Sequence, residues 1–332
     1  MAALIGRRLL AMVAVLLGLA VIVFILQVLI PADPARSILG AAASPAAVKA
    51  KAHQLGYDRP VPERFVRFMG RLVRGDLQDS LRTRNAVTTD LGIFLPATVE
   101  LALIASLLAA ILGFGLGLAL AGGVRGRQVM RVVLVGGASM PSFLLALLGI
   151  LLLYSTLHLF PASGRLSDTL RPPLGPTKLL LVDSLLHLDL SVFWDALKHI
   201  FLPALVLALT PAVALARTLN SSLEQAMQED WARTARSKGL SERGILVGHA
   251  LRNALGPTLT MSGLQLGFLL GGVVVVEQIF AWPGIGLYTD QAIAYADFPA
   301  ITGVTLVLGA AYVMVNLLVD LAQMWADPRL RA

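Results

Sequence analysis

A chain of 332 residues that is 57% hydrophobic and only 14% charged, with a mean hydropathy of +0.77, falls outside the range of soluble domains and belongs in a bilayer. Disordered, collagen-like and coiled-coil classes are excluded, and the absence of cysteine removes disulfide frameworks, thiolate nucleophiles and Cys-ligated zinc or iron–sulfur sites. The net charge of +7 is compatible with nucleic acid, but basic residues of a membrane protein collect at its cytoplasmic surface, so their positions decide.

Crossing the hydrocarbon takes about 20 apolar residues. Six stretches free of Asp, Glu, Lys, Arg and His qualify: Leu9–Ile30, Leu101–Ala121, Val132–Leu157, Ile200–Ala216, Pro257–Val276 and Pro299–Val319. The first follows Arg7-Arg8 but is longer than the apolar core of a signal peptide, so it reads as a retained helix. Thirteen basic residues lie in the termini and short loops of one side, against four in the short loops of the other. By the positive-inside rule both termini are then cytoplasmic. The expected fold is an all-α polytopic membrane protein. It comprises an N-terminal tail and first helix (1–30), an extracytoplasmic insertion (31–97), and a core of five further helices (98–332) with a cytoplasmic loop over 219–256.

In the insertion, Phe65, Phe68, Met69, Leu72 and Val73 repeat at helical spacing beside Arg64, Arg67, Arg71 and Arg74. Two readings fit: a basic amphipathic helix at the lipid headgroups, and a helix covering a small extracytoplasmic fold, which is preferred. Pro141, Pro203 and Pro211 predict kinked or locally unwound spans. Gly113 and Gly117, and Gly263, Gly267 and Gly271, are spaced for close helix approach, within the chain or against a partner subunit. Residues 158–199 read as an ordered, irregular outside loop.

Inside, residues 222–238 are helix-compatible, with acidic residues early and basic residues late. Gly239 is placed to stop that helix, and Ser241-Glu242 to start a second one running to about Leu255, before Gly256-Pro257 opens span five. A loop folded on its own bundle and a functional loop both fit this pattern. On the outside, Pro283-Gly284 fits the centre of a type II turn, and Trp282 fits a membrane-interface anchor.

With these elements in place the chain resembles a family, the permease subunits of bacterial ABC importers, in the dipeptide, oligopeptide and nickel branch. The resemblance centres on Asp230-Trp231-Ala232-Arg233-Thr234-Ala235-Arg236-Ser237-Lys238-Gly239-Leu240-Ser241-Glu242-Arg243, followed by His249-Ala250-Leu251-Arg252-Asn253-Ala254-Leu255 and Pro257. Further matches are Pro31-Ala32-Asp33-Pro34, Leu55-Gly56-Tyr57-Asp58-Arg59-Pro60, Gly75-Asp76-Leu77, Leu95-Pro96-Ala97-Thr98, Trp282-Pro283-Gly284-Ile285-Gly286 and Asp327-Pro328-Arg329. One departure is that the general importer pattern opens Glu-Ala-Ala where this chain has Arg233-Thr234-Ala235, so no glutamate-based contact with an ATPase carries over to that frame.

The resemblance implies a coupling helix that docks on a cytoplasmic ATPase subunit, drawing on Asp230, Arg233, Thr234, Ala235, Lys238, Gly239, Leu240 and Ser241. It implies an outer mouth facing a substrate-binding protein, drawing on Glu277, Phe280, Trp282, Pro283, Gly284 and Gly286. Gly263, Gln265, Gly267 and Gly271 are candidates for the path or for packing. The implied partners are a homologous second permease, two ATPase subunits or domains, an extracytoplasmic binding protein and membrane lipid, with no nucleic acid. The implied location is the bacterial cell membrane.

No metal or cofactor site is expected on this chain. It holds no phosphate loop, His-Glu-x-x-His, Gly-x-Ser-x-Gly or Ser-x-x-Lys, so it is not itself the ATPase and no catalytic residue is assigned; ATP and magnesium belong to partner subunits. The five histidines are scattered through loops and read as surface or interface residues. An ion-coupled carrier is the rival class. The absence of ionisable residues within the six stretches argues against proton coupling, with Glu100, Glu277 and Asp320 read as interfacial at their ends. Peptide is the first choice of cargo, with nickel chelates and glutathione behind it.

Overall fold

A computed structural model describes residues 2–29, 34–40, 42–56, 58–123, 126–173 and 175–326. The motif stretches 31–33 and 327–329, together with Tyr57 and Arg125, fall outside them. Among the described residues the chain is helical throughout, apart from an isolated bridge between Asp79 and Ala86.

The helices are α1 (Ala2–Leu29), α2 (Pro34–Leu39), α3 (Pro45–Leu55), α4 (Val61–Val73), α5 (Val87–Ala121), α6 (Arg127–Ala138) and α7 (Ser142–Gly149), which continues as a π-helical stretch over Ile150–Thr156. After an irregular loop come α8 (Leu180–Leu186), α9 (Leu190–Ala226), α10 (Asp230–Ser237) and α11 (Glu242–Ile245). A second π-helical stretch (Leu246–Ala250) leads into α12 (Leu251–Ile279), followed by α13 (Ile285–Ala294) and α14 (Phe298–Ala326).

Four helical stretches are each long and apolar enough to cross a membrane: Leu10–Leu29, Val87–Ala121, Leu190–Ala226 and Phe298–Val319. A fifth is the run from Glu242 to Ile279, bent by 50° between Leu269 and Gly271, where the Gly271-Gly272 pair weakens the helix. The expected third span is divided. Pro141 lacks an N–H and holds φ −57°, ψ 142° at the N-cap of α7, so α6 stops at Ala138 and the apolar run resumes as Ser142–Thr156. In contrast, α9 runs through both Pro203 and Pro211, and α12 runs through Pro257. The expected break at Gly256-Pro257 does not occur. The widened turn over Leu246–Ala250 lies upstream of that proline.

The chain divides into two compact units, 1–97 with 283–313 and 98–282 with 314–332. In the first, the apolar stripe of α4 is spent on packing within the chain. Phe68 is buried, and Phe65 and Phe68 set their rings 5.1 and 5.5 Å from that of Phe24 on α1, with Met69, Leu72 and Leu306 completing the cluster. A second cluster joins Val87 and Leu91 of α5 to Ile285, Tyr288 and Ala292 of α13 and to Ala300 and Val304 of α14. Beside it, Asp297 caps α14 by accepting from the Ala300 N–H at 3.2 Å, and also accepts from the Ser80 hydroxyl at 2.6 Å. Asp90 accepts from Thr83, Asn85 and the Tyr288 hydroxyl, the last at 3.0 Å. Burial first, and the Asp90 carboxylate second, push the Tyr288 phenol above its ordinary pKa.

The second unit is organised around α9, whose apolar window is 72% buried, against 28% for α5. Its N-terminus is capped by Asp189, which accepts from the Val192 N–H at 3.1 Å. Small residues let α5 approach closely, with Ala109 against Ala208 and Ala212. A Cβ on Gly113 would come within 2.7 Å of Leu215 Cβ, and one on Gly117 within 3.1 Å of the Ala216 carbonyl oxygen. This glycine pair therefore serves packing within the chain.

Replacing Gly113 with valine, which forces α5 away from α9, is expected to lower stability by about 1–3 kcal/mol. Gly115→Val, at a position with open space around it, is expected to leave the unfolding temperature in detergent nearly unchanged. Equal unfolding temperatures for the two variants would remove the packing role.

Candidate functional site

Two places collect the residues singled out by sequence. The first is the loop between α9 and α12. The helix expected over 222–238 is in fact two: α9 ends at Ala226, and α10 starts after Glu229, whose extended backbone (φ −68°, ψ 158°) interrupts the run. Gly239 terminates α10 with φ +81°. Its N–H donates to the Arg236 carbonyl at 2.9 Å, and the Leu240 N–H donates to the Ala235 carbonyl at 3.2 Å, the paired bonds of a Schellman motif. Ser241 then caps α11, accepting from the Gly244 N–H at 3.2 Å. The Arg236 guanidinium grips Glu242 through Nε at 2.6 Å and Nη2 at 3.1 Å, and the same Nη2 donates to the Met227 carbonyl at 3.2 Å. These bonds tie α10, α11 and the end of α9 together. The hydrogen bonds from Arg236 hold the Glu242 carboxyl below its ordinary pKa, and Glu242 in turn raises that of Arg236.

The loop has distinct inner and outer surfaces. Ala232 and Ile245 are fully buried, and Leu246 and Ala250 join Leu219, Leu223 and Ala226 in a cluster that also takes in Trp231. Asp230, Arg233, Thr234, Lys238, Gly239, Leu240 and Ser241 are exposed, and Ala235 is half-buried. The structure thus brings the whole predicted coupling set onto one hairpin. It bears an exposed apolar tip at Leu240 and an exposed charge at Lys238. Arg236 and Glu242, which hold the hairpin closed, were missed as a pair; their six-residue separation across a glycine turn is the signal that would have found them.

The second place is the predicted outer mouth, which divides between the units. Glu277, Phe280 and Trp282 belong to the second unit, where α12 ends in another Schellman motif. The Ala281 N–H donates to the Gln278 carbonyl at 3.2 Å, and the Trp282 N–H to the Glu277 carbonyl at 2.8 Å. The positive φ falls on Ala281 (+46°), while Gly284 is extended at φ −112°, ψ −173°. The expected type II turn with Gly284 in the left-handed region is therefore replaced by a helix cap three residues earlier. Trp282 is 1% exposed, so the interface-anchor reading gives way to a core one. Arg165 stacks over its ring at 5.6 Å and pairs with Glu100. Glu100 also accepts from the Leu181 N–H at 2.7 Å, and the Gly164 N–H donates to the Phe280 carbonyl at 2.9 Å.

Glu277 is fully buried and accepts from the Thr98 hydroxyl at 2.7 Å. The interfacial roles expected for Glu100 and Glu277 are replaced by buried, hydrogen-bonded ones; nothing in the sequence marked Arg165 or Thr98 as their partners. In the first unit Gly284 and Gly286 are buried and Pro283 is half-buried, at the start of α13.

Of the candidate path residues, Gly263 lies against Val319, which a Cβ would approach to 2.2 Å, and Gln265 donates within α12 to Met261 Sδ at 3.6 Å. Both serve packing. Gly271 has open space around it, and Gly267 is half-buried on the same helix. Among the described residues no group of His, Asp or Glu is arranged to hold a metal ion.

Comparison with known proteins matches residues 111–332 to the family described as binding-protein-dependent transport system inner membrane component, and residues 1–101 to the N-terminal region of such components. A probable D,D-dipeptide transport system permease protein of Escherichia coli is 44% identical over 98% of this chain and 96% of its own length. A di/tripeptide transport system permease protein of Pseudomonas aeruginosa is 39% identical over 98% of both chains. A dipeptide transport system permease protein of Alkalihalophilus pseudofirmus is 37% identical, again over 98% of both. The glycine-stopped hairpin, the apolar helices and these matches over the whole length agree: the chain belongs to the family of inner-membrane permease components of binding-protein-dependent transport systems, and is a multi-pass membrane protein.

Proposed function

We propose that this chain is the membrane-spanning permease subunit of an ATP-driven importer of di- and oligopeptides, working with a second, homologous permease, two cytoplasmic ATPase subunits or domains and an extracytoplasmic substrate-binding protein. The observation that carries the reading is the α10–α11 hairpin. It is small, capped at both ends of its turn and clipped by Arg236 to Glu242, with its inner face buried on α9 and the start of α12. A rigid knob of this kind moves as one piece and passes displacement into the helices on which it is seated. Exposed Asp230, Arg233, Thr234, Lys238 and Leu240 offer charge and an apolar tip to a groove on an ATPase.

In this reading ATP and magnesium bind the partner subunits, whose closure drives the hairpins and opens the path outward; hydrolysis resets it. The hairpin and both termini face the cytoplasm. The turn over 277–282 is assigned to the outer mouth, where it holds backbone in place with Glu277, Phe280 and Trp282 buried. Peptide cargo is supported by what the relatives' names state of those proteins. The chain has no catalytic role of its own.

The test is reconstitution of the full transporter in vesicles. At Gly239, φ +81° costs a β-branched residue roughly 1–2 kcal/mol, about tenfold in the population of the intact turn. Gly239→Val is expected to cut peptide uptake by about tenfold or more while leaving membrane insertion and basal ATP hydrolysis in place. Uptake equal to wild type would remove the coupling role, and nucleotide-independent uptake by this chain alone would overturn the whole reading.

The clip makes a second prediction. The Glu242 carboxyl is depressed in the folded hairpin, so its contribution is present above the ordinary carboxylate range and is lost as pH falls through the lowered value. Amide protection over 230–245, taken relative to the intrinsic exchange rate at each pH, is expected to fall on acidification below about pH 4. In Glu242→Gln that protection is expected to be reduced already at neutral pH. An acid response unchanged by that substitution would dismiss the clip.

A further inference from the structure

The first unit contains a cavity of about 190 Å³ that the transport function does not use. Its walls are α4, the end of α1, Gln54 and Gly56 at the end of α3, and Gln78 beyond α4. Arg64, Arg67 and Arg71 all line it, and among the described residues none that lines it is acidic. Glu63, one residue from Arg64, is already engaged by Arg59 and by Arg67 at 3.1 Å, and does not line the space. The Arg71 Nε–H is shielded from solvent with no acceptor among the described residues. A buried guanidinium N–H without an acceptor is costly, so an oxygen ligand at Arg71 would be stabilised.

The position of the cavity identifies the source of such a ligand. Phe24 and Gln27 of α1 line it, and the apolar span of α1 ends at Leu29. The floor is therefore about one helical turn inside the end of the hydrocarbon, and the mouth lies at headgroup level. Ile25, Leu26 and Leu29 beside it are exposed at 47, 48 and 70%, an apolar surface on which acyl chains can lie. Arginines bind phosphate in forked geometry, and basic pockets at helix ends are suited to lipid headgroups. The volume equals roughly that of six waters, room for a phosphodiester with part of its glycerol.

We infer that this cavity is a binding site for the phosphate of an anionic membrane phospholipid, held by Arg71 with Arg64 and Arg67. The bound lipid would tie α4 to α1 at the membrane surface.

The test titrates the full transporter, stripped of lipid in detergent, with phosphatidylglycerol and counts retained lipid by native mass spectrometry, with and without millimolar inorganic phosphate. One tight site is expected in the wild type. Loss of a charged hydrogen bond in Arg71→Gln is expected to weaken it by about tenfold or more, while Arg74→Gln, exposed on the same helix and outside the cavity, stays within about threefold of wild type. Arg67→Gln gives the same reading should Arg71→Gln fail to fold. Wild-type lipid affinity in both cavity variants would overturn the inference, as would equal loss in Arg74→Gln, which indicates bulk charge. Displacement of the lipid by inorganic phosphate would assign the cavity to free anions instead. Variants that keep the lipid but lose the substrate-binding protein would assign it to a protein contact.

Discussion

A polar group carried into hydrocarbon has to find its partner inside the protein, and this requirement governs where the helices of this chain can begin, end and touch. Four carboxylates lie buried near the ends of apolar helices: Asp90, Glu100, Glu277 and Asp297. Each is supplied with donors by residues distant in sequence. Glu100 receives Arg165 and the Leu181 N–H, Glu277 receives Thr98, Asp90 receives Tyr288, and Asp297 receives Ser80. An unpaired carboxylate at these depths would neutralise or drag its helix toward water. The pairs therefore hold irregular loops such as 160–167 and 78–85 against particular helices, turning connectors into structure.

Both ends of the second unit's functional stretch use one local device. A helix stops on a residue of positive φ, and the N–H groups of that residue and of the next return to the last carbonyls. At Gly239 the residue has no Cβ and the turn is exposed; at Ala281 a side chain is present and the next residue, Trp282, is buried with Arg165 over its ring. The first version relies on glycine and the Arg236–Glu242 clip; the second holds an exposed alanine at positive φ beside the buried Trp282. In the proposed coupling role stiff turns have a use, since a soft one would absorb displacement before it reached α9 and α12.

Hydropathy marked the apolar stretches, and the stop at Gly239 with the cap at Ser241 followed from residue type alone, because glycine in the left-handed region and serine at an N-cap are local chemistry. The amphipathic stripe of α4 was equally legible, since Phe65 and Phe68 recur at helical spacing, although their partner Phe24 on α1 was not. What stayed hidden depended on tertiary context. Prolines 203, 211 and 257 look like breaks but are carried inside helices, whereas Pro141 does break one; the difference lies in the packing around each, which spacing cannot express. Pro283-Gly284 looked like a turn because the actual cap, Ala281, has a residue type that does not advertise positive φ. Burial of Trp282 and Glu277 was likewise invisible, because a residue at the end of an apolar run can face lipid headgroups or the protein interior.

The π-helical stretch over Leu246–Ala250 sets the phase of everything after it. Such a turn accommodates one residue more than an α-helical turn, which rotates the following side chains by about 100° relative to an uninterrupted helix. Gly263 meets Val319 because of that offset. Tightening this turn to an ideal helix without removing a residue would swing Gly263 off its contact more than three turns away, whereas tightening it with the loss of one residue leaves Gly263 in phase, because the two rotations of about 100° cancel. The pitch of this short segment is therefore tied to its length by the steric fit of Gly263 on Val319.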